Sequence, residues 1–309
     1  MKYQLAYHSL AGGRETNQDR IVCVERDNAV LMVLADGLGG HEGGALAAEI
    51  LTRTAQHAFE SVRQPLITKP SAFLTLTIVQ AHKAIVARGA AMNPPLTPRT
   101  TCVLCLVQDG YAYWAHVGDS RLYHFRAGQV LRRTLDHTVT EQMHLDGVIS
   151  EEEMKHHPDK SRLLKALGGS HPPTISLGEE TLLMPGDTLL LCTDGLWEAL
   201  NTEELARHLR RPELDEAVEE MLFAAETRMR QHADNLSAIS LRWEDAPTTA
   251  LPLQSHGVPE ANPQTLLTDT EALLAGRKRK AEAKPPDPKK SLDATIDELE
   301  AFLAKFEKQ

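Results

Sequence analysis

Aspartates stand at the ends of apolar runs in this chain. Asp36 follows the run 30–35, Asp194 follows 188–192, Asp234 precedes 237–243, and Asp119 lies between the runs 111–117 and 121–125. A carboxylate at the end of a buried strand is held rigidly at the edge of a core. Unpaired buried carboxylates are costly, so several that converge imply cations among them. Hard divalent cations such as Mg²⁺ or Mn²⁺ take carboxylate, carbonyl and water oxygens. Asp36 and the Gly37 carbonyl could supply two of these. Two such cations about 3.5–4 Å apart, bridged by a carboxylate and a water, form a hydrolytic centre. The plain alternative for Asp36 is a strand-to-helix turn with an exposed aspartate.

The elements that must position these groups can be read from apolar spacing. Residues 3–10 and 20–35 read as strands around the polar loop 12–19. Residues 45–62 and 71–92 have helical spacing, the second ended by Pro94, Pro95 and Pro98. The runs 101–107, 111–117 and 121–125 then predict an antiparallel meander with turns at Asp109-Gly110 and Gly118-Asp119. Residues 137–168 are polar and read as mostly helical. A strand at 188–192, helices at 202–210 and 213–230, and a last strand at 237–243 follow. Strands and helices come in blocks, so the fold class is α+β, with antiparallel sheets carrying helices on their outer faces.

After Glu244 the character changes. Residues 246–290 are rich in Pro, Thr, Ala and charge and read as a flexible linker. Residues 291–309 regain periodicity, with Leu292, Ile296, Leu299, Leu303 and Phe306 on one face of an amphipathic helix of about five turns. That helix either packs on its own domain or docks on a protein partner or self-associates; the linker before it favours the partner.

Composition narrows the function classes. The 309 residues carry a net charge of −10, against broad nucleic-acid binding. No apolar run approaches ~18 residues, so no membrane span is expected. Cys23, Cys102, Cys105 and Cys192 all lie in apolar runs and read as buried free thiols, which fits a reducing, cytoplasmic setting.

Seven segments together resemble a known family. They are Arg14-Glu-Thr-Asn-Gln-Asp19, Ala35-Asp-Gly-Leu-Gly-Gly-His-Glu-Gly43, Arg99-Thr-Thr101, Val117-Gly-Asp-Ser-Arg-Leu-Tyr123, Asp136-His137, Thr193-Asp-Gly-Leu-Trp197 and Asp234-Asn-Leu-Ser237. Their order and spacing resemble the bacterial protein phosphatase 2C (PPM) family of metal-dependent serine/threonine protein phosphatases, over residues 1–245. Each segment alone is a weak signal, and the set is specific.

The resemblance implies a sandwich of two antiparallel sheets flanked by helices, with a flap at about 137–173 beside the metals. It implies two to three divalent ions, Mn²⁺ or Mg²⁺. Asp36 would bridge two of them with help from the Gly37 carbonyl, Asp194 and Asp234 would bind one of this pair, and Asp119 would hold a third. Asp119 as an ordinary turn residue is the alternative. Asp19 and Asn235 would stand behind the ligands, Asp19 orienting water and Asn235 donating hydrogen bonds. Gln18 stands where some members have Glu. Arg14 would grip substrate phosphate, since a guanidinium offers two parallel donors. His41 is a candidate acid for the leaving oxygen, with a helix cap or a solvated side chain as the alternative. The other histidines read as surface residues, and Trp114 and Trp197 as core.

The implied activity is hydrolysis of phosphoserine and phosphothreonine by a metal-bridging hydroxide, opposing a bacterial Ser/Thr kinase and its phosphorylated substrates. Rival readings are a pseudophosphatase that only binds phosphoproteins, an adaptor acting through the C-terminal helix, and a phosphatase of small esters.

Overall fold

The computed structural model describes residues 1–39 and 43–246. His41, the linker 246–290 past its first residue, and the amphipathic segment 291–309 lie outside the described residues.

Two antiparallel sheets face each other. One has five strands in the order Tyr3–Leu10, Leu236–Trp243, Thr188–Cys192, Arg121–Arg126, Gln129–Arg133. The other runs Ser176–Leu177, Tyr111–Val117, Cys102–Gln108, Ala29–Ala35, Arg20–Arg26, with Thr181–Leu182 also pairing on Tyr111–Val117. The central strands read as unbroken apolar runs because both of their faces are covered. Alternation sorts their side chains. Val30, Met32 and Leu34 enter the space between the sheets with Val103, Leu189, Leu191 and Ile239. Leu31, Val33 and Ala35 point the other way, under the helices Gly43–Glu60 and Pro70–Ala90. On the far side, Tyr123, Phe125, Leu190 and Cys192 pack beneath Thr202–His208 and Leu214–Met229.

The expected sandwich is present, and two expectations are corrected. Residues 101–125 are no meander: Cys102–Gln108 pairs with Tyr111–Val117, but Arg121–Arg126 belongs to the opposite sheet and pairs with Thr188–Cys192. The Gly118-Asp119 turn is a crossing between layers. Gly118 has φ +110, and a Cβ there would lie 2.7 Å from the Thr101 side chain. Glycine is required on both counts. The segment 137–168 is also less helical than its polarity suggested, with helices only at Val139–Leu145 and Glu151–His156. The remainder is tied down by hydrogen bonds outside regular structure, such as Leu164 N to His137 O at 2.8 Å and Leu167 N to Thr100 O at 2.9 Å.

Candidate metal centre

The strand ends meet at one rim of the sandwich. Asp36 leaves the Ala29–Ala35 strand, and its backbone is clamped on both sides. Its N–H donates to Thr101 Oγ1 at 3.1 Å, and its carbonyl accepts from Thr101 N at 2.9 Å and Thr100 Oγ1 at 2.8 Å. Gly37 then turns back against Gly44, where a Cβ on Gly37 would lie 2.4 Å from the Gly44 carbonyl carbon. Two glycines touching back to back let the following helix begin beside the carboxylate. Asp194 opens the short helix Asp194–Trp197 directly after the Thr188–Cys192 strand. Asp234 sits just before Leu236–Trp243, the strand paired to Thr188–Cys192 with Cys192 opposite Ala238.

Electrostatics record the convergence. Burial pushes the Asp36 carboxyl well above its ordinary range, and Asp194, Asp19, Asp119 and Asp234 push it further. Asp194 is raised likewise by burial, then by Asp119, Asp234, Asp19 and Glu198. Asp119, 4% exposed, is pushed up to about 7 by burial and by Asp136. Asp19, Asp119, Asp194 and Asp234 therefore lie near enough to Asp36 to act on its charge.

Asp19 is the informative member. It is 2% exposed, and its Oδ2 accepts from Thr193 Oγ1 at 3.0 Å and Ser237 Oγ at 2.7 Å. Its other oxygen, Oδ1, is buried with no donor. Burial raises Asp19 to about 6 although both hydroxyls and the neighbouring Asp36 carboxyl favour its charged form. Two facing carboxylates can share a bond only with a proton or a cation between them.

Among the described residues, no three His, Cys, Asp or Glu side chains make a ready-formed cage for one ion. Mutually repelling carboxylates, an orphan carboxylate oxygen on buried Asp19 and an all-oxygen donor set fit divalent cations.

Arg14 stands at the mouth of the adjoining cleft, which has a volume of about 520 Å³ and is lined by Arg14, Gln18, Asp36, Gly37, Asp194 and Asp234 among others. Arg14 Nη2 donates to Asp234 Oδ2 at 2.8 Å, yet the side chain is 62% exposed, so most of its donor fork faces solvent. Asn235 does donate hydrogen bonds, but to the loop that carries Arg14: its Nδ2 reaches Ala11 O at 3.0 Å and Thr16 O at 3.1 Å, while its Oδ1 accepts from Gln18 N at 2.8 Å.

Several residues missed from the sequence also support the centre. Trp197 is no simple core residue. Its Nε1 donates to the Asp119 carbonyl at 3.0 Å, and the Arg121 guanidinium stacks 3.5 Å from its ring centroid. Arg121 is locked in turn by Asp136 through a fork of 2.9 and 2.6 Å. The reading of the remaining histidines as surface residues is corrected for His82, His116, His124 and His137, all buried. His116 and His137 stack with centroids 4.7 Å apart. His137 Nδ1 accepts from Gly118 N and its Nε2 bonds Ser176 Oγ, so the ring ties the layer-crossing turn to the Ser176–Leu177 strand. Burial holds the imidazole of His137 down at about 3, helped by His116 and Lys165. Hydroxyls and arginines beside strand-end aspartates were the available signal for these supports.

Comparison with known proteins agrees with this geometry. The family model for protein phosphatase 2C matches residues 9–239. The serine/threonine protein phosphatase PstP of Mycobacterium tuberculosis is 30% identical over 214 residues, covering 68% of this chain and 39% of that protein. The chain thus matches well under half the length of that relative. The serine/threonine phosphatase stp of Listeria monocytogenes is 31% identical over 202 residues, 64% of this chain and 79% of that one. A solved structure of the PstP catalytic domain in complex with 2 manganese ions superposes with a TM-score of 0.67 at 26% identity, over 79% of this chain and 99% of that chain.

Proposed function

This chain belongs to the protein phosphatase 2C family, and we propose that it is a metal-dependent phosphatase acting on phosphoserine and phosphothreonine in proteins. The observation that carries the reading is the cleft that Asp36, Asp194 and Asp234 line together with an exposed arginine, Asp19 and Asp119 lying near enough to act on the Asp36 charge. Asp36, Asp194 and Asp234 with the Gly37 carbonyl would hold two Mn²⁺ or Mg²⁺ ions, and Asp119 a third. When bound, such ions supply Lewis acidity, lowering the pKa of water and offsetting phosphate charge.

The chain's own groups do the rest. Arg14 turns its free donors to two phosphate oxygens and holds the bound phosphate over the carboxylates. The Asn235 bonds hold the 11–18 loop so that the guanidinium is delivered at a fixed height over the carboxylates. Thr100 and Thr101 fix the Asp36 backbone, and Thr193 and Ser237 fix Asp19, whose bare Oδ1 can accept a proton from water. His41, as acid for the leaving oxygen, belongs to the same reading. So do a serine/threonine kinase as the opposing partner and a cytoplasmic setting, which the buried thiols Cys102, Cys105 and Cys192 favour. No described helix is long and apolar enough to cross a membrane.

The test is hydrolysis of a phosphothreonine peptide with Mn²⁺, with Mg²⁺ and with chelator. Turnover should need the metal and should vanish in Asp36→Asn while the melting profile stays cooperative. Near-native turnover in that variant, or in chelator, would defeat the proposal. A strong preference for sugar phosphates over phosphopeptides would shift it to small esters.

A further inference from the structure

The candidate cleft does not end at the aspartates. It shares Leu38 and Gly39 with a second hollow of about 470 Å³, walled on its far side by Arg99 and residues 163–166 of the flap. That hollow shares Leu164 and Lys165 with a third, of about 550 Å³, lying under the flap. The three adjoin one another in a track leading away from the carboxylates of the first.

The far groove differs chemically from the cleft. Leu135, Leu145, Leu164 and Leu177 line it and are 48%, 57%, 53% and 52% exposed. Isolated exposed leucines are ordinary, but several around one concavity mark an interaction site. Trp114 lies at its floor, 5% exposed and held by the close approach of Gly178, whose Cβ would lie 2.1 Å from the indole ring. That floor is rigid.

Charge decides the kind of occupant. The acidic groups at the rim already have partners: Glu179 pairs with Arg132 at 2.6 Å, and Asp136 with Arg121 at 2.6 Å. Arg133 is occupied by Asp136 and Glu141 at 3.5 and 3.4 Å. Lys165 has no carboxylate partner among the described residues, and the imidazoles of His116 and His137 close to it cannot supply one. In a chain of net charge −10, the track thus carries an unpaired ammonium beside a leucine wall.

We propose that this groove docks a segment of the phosphoprotein substrate distant from the phosphoresidue, one that carries bulky aliphatic side chains and a carboxylate. The aliphatics seat on Leu135, Leu145, Leu164 and Leu177, and the carboxylate pairs with Lys165 Nζ. Selection among phosphoproteins then rests on this second contact, because the phosphate cleft reads only features common to all of them. The inference rests on the phosphatase reading for the identity of its partner, though the groove's binding chemistry can be measured without turnover.

The test uses the full chain in chelator and a fluorescein-labelled, unphosphorylated peptide, Leu-Glu-Leu-Asp-Leu, followed by anisotropy. Saturable binding is expected, weaker by about tenfold or more in Leu177→Glu and in Lys165→Glu, and retained in Lys165→Arg. The peptide Leu-Lys-Leu-Lys-Leu should bind the wild type poorly and gain on Lys165→Glu. Melting curves confirm that each variant is folded. Equal binding of the two peptides, no saturable binding, or variants that bind like the wild type would overturn the proposal. So would a dimer of the wild type that Leu177→Glu dissociates, which gives the groove to a second copy of the chain. Mn²⁺-dependent hydrolysis of p-nitrophenyl phosphate, run in parallel, tests the phosphatase reading alone: turnover without peptide binding sinks the groove, and peptide binding without turnover sinks the reading.

Discussion

Asp194→Asn should stabilise the metal-free protein and weaken its response to metal. Asp194 is half-buried, and desolvation together with repulsion by Asp119, Asp234, Asp19 and Glu198 disfavours its charged form in the folded state. Asparagine keeps the shape and deletes the charge. A repelled carboxylate can always escape by taking a proton. That escape costs about 1.36 kcal/mol for each of roughly three pH units between neutrality and the ordinary carboxylate pKa, which caps the stored repulsion near about 4 kcal/mol. The open side of the cleft screens part of it, leaving a gain of about 1–3 kcal/mol. For a domain of this size each kcal/mol moves the melting temperature by about 2–4 °C. In excess chelator the variant should therefore melt several degrees above the wild type. Metal reverses the order: an ion at a hundredfold over its Kd adds about 2.7 kcal/mol per site, and the variant has lost a ligand. Paired melts in chelator and in excess Mn²⁺, read by circular dichroism, measure both arms. A variant that melts below the wild type in chelator, or keeps the full Mn²⁺ gain, would refute a repelling, cation-seeking cluster.

Other expectations follow from single contacts. Arg14→Ala should raise KM for a phosphothreonine peptide by about tenfold with kcat little changed, since its exposed fork is offered to ground-state phosphate; a fall in kcat alone would place Arg14 in the transition state. Gly118→Ala forces an L-residue to φ +110 against Thr101, and should lower stability by about 2 kcal/mol or more in urea titration; an unchanged midpoint would contradict the crowding. Asp187 is 1% exposed, and burial alone would raise it, but the Arg126 fork, His124 and the Met184 N–H outweigh burial and hold it down at about 2. Its folded value lies below its unfolded one, so its contribution is present above about pH 4 and fades as pH falls toward 2. After screening this amounts to about 1–2 kcal/mol. The urea midpoint of Asp187→Asn should accordingly change less between pH 5 and 3 than that of the wild type, and parallel slopes would refute the assignment.

Much of the site was legible because its signals are local. An apolar run that ends in Asp-Gly announces a strand end, a carboxylate and a turn within a few residues, and the positions of Asp36 and Asp194 follow from that alone. The layered α+β architecture followed from block order and apolar spacing. The elements were misjudged where local pattern is ambiguous. The strand Arg121–Arg126 has the same alternation whether it joins its neighbour or the opposite sheet, and the hydrogen bonds that decide this come from Thr188–Cys192, far along the chain. His116 and His137 sit in polar or mixed surroundings in the sequence and are buried by contacts with each other, Leu135 and Ser176.

The sequence by itself therefore determined which oxygens and which arginine are available, and that strands would carry them to an edge. Only the tertiary structure decided that Asp19 leaves one buried oxygen without a donor, that Trp197 and Arg121 brace Asp119, and that Asn235 holds the arginine's loop. Residue type and period are properties of neighbouring positions. Which buried group lacks a partner depends on packing between segments remote in the chain, and no local pattern encodes it.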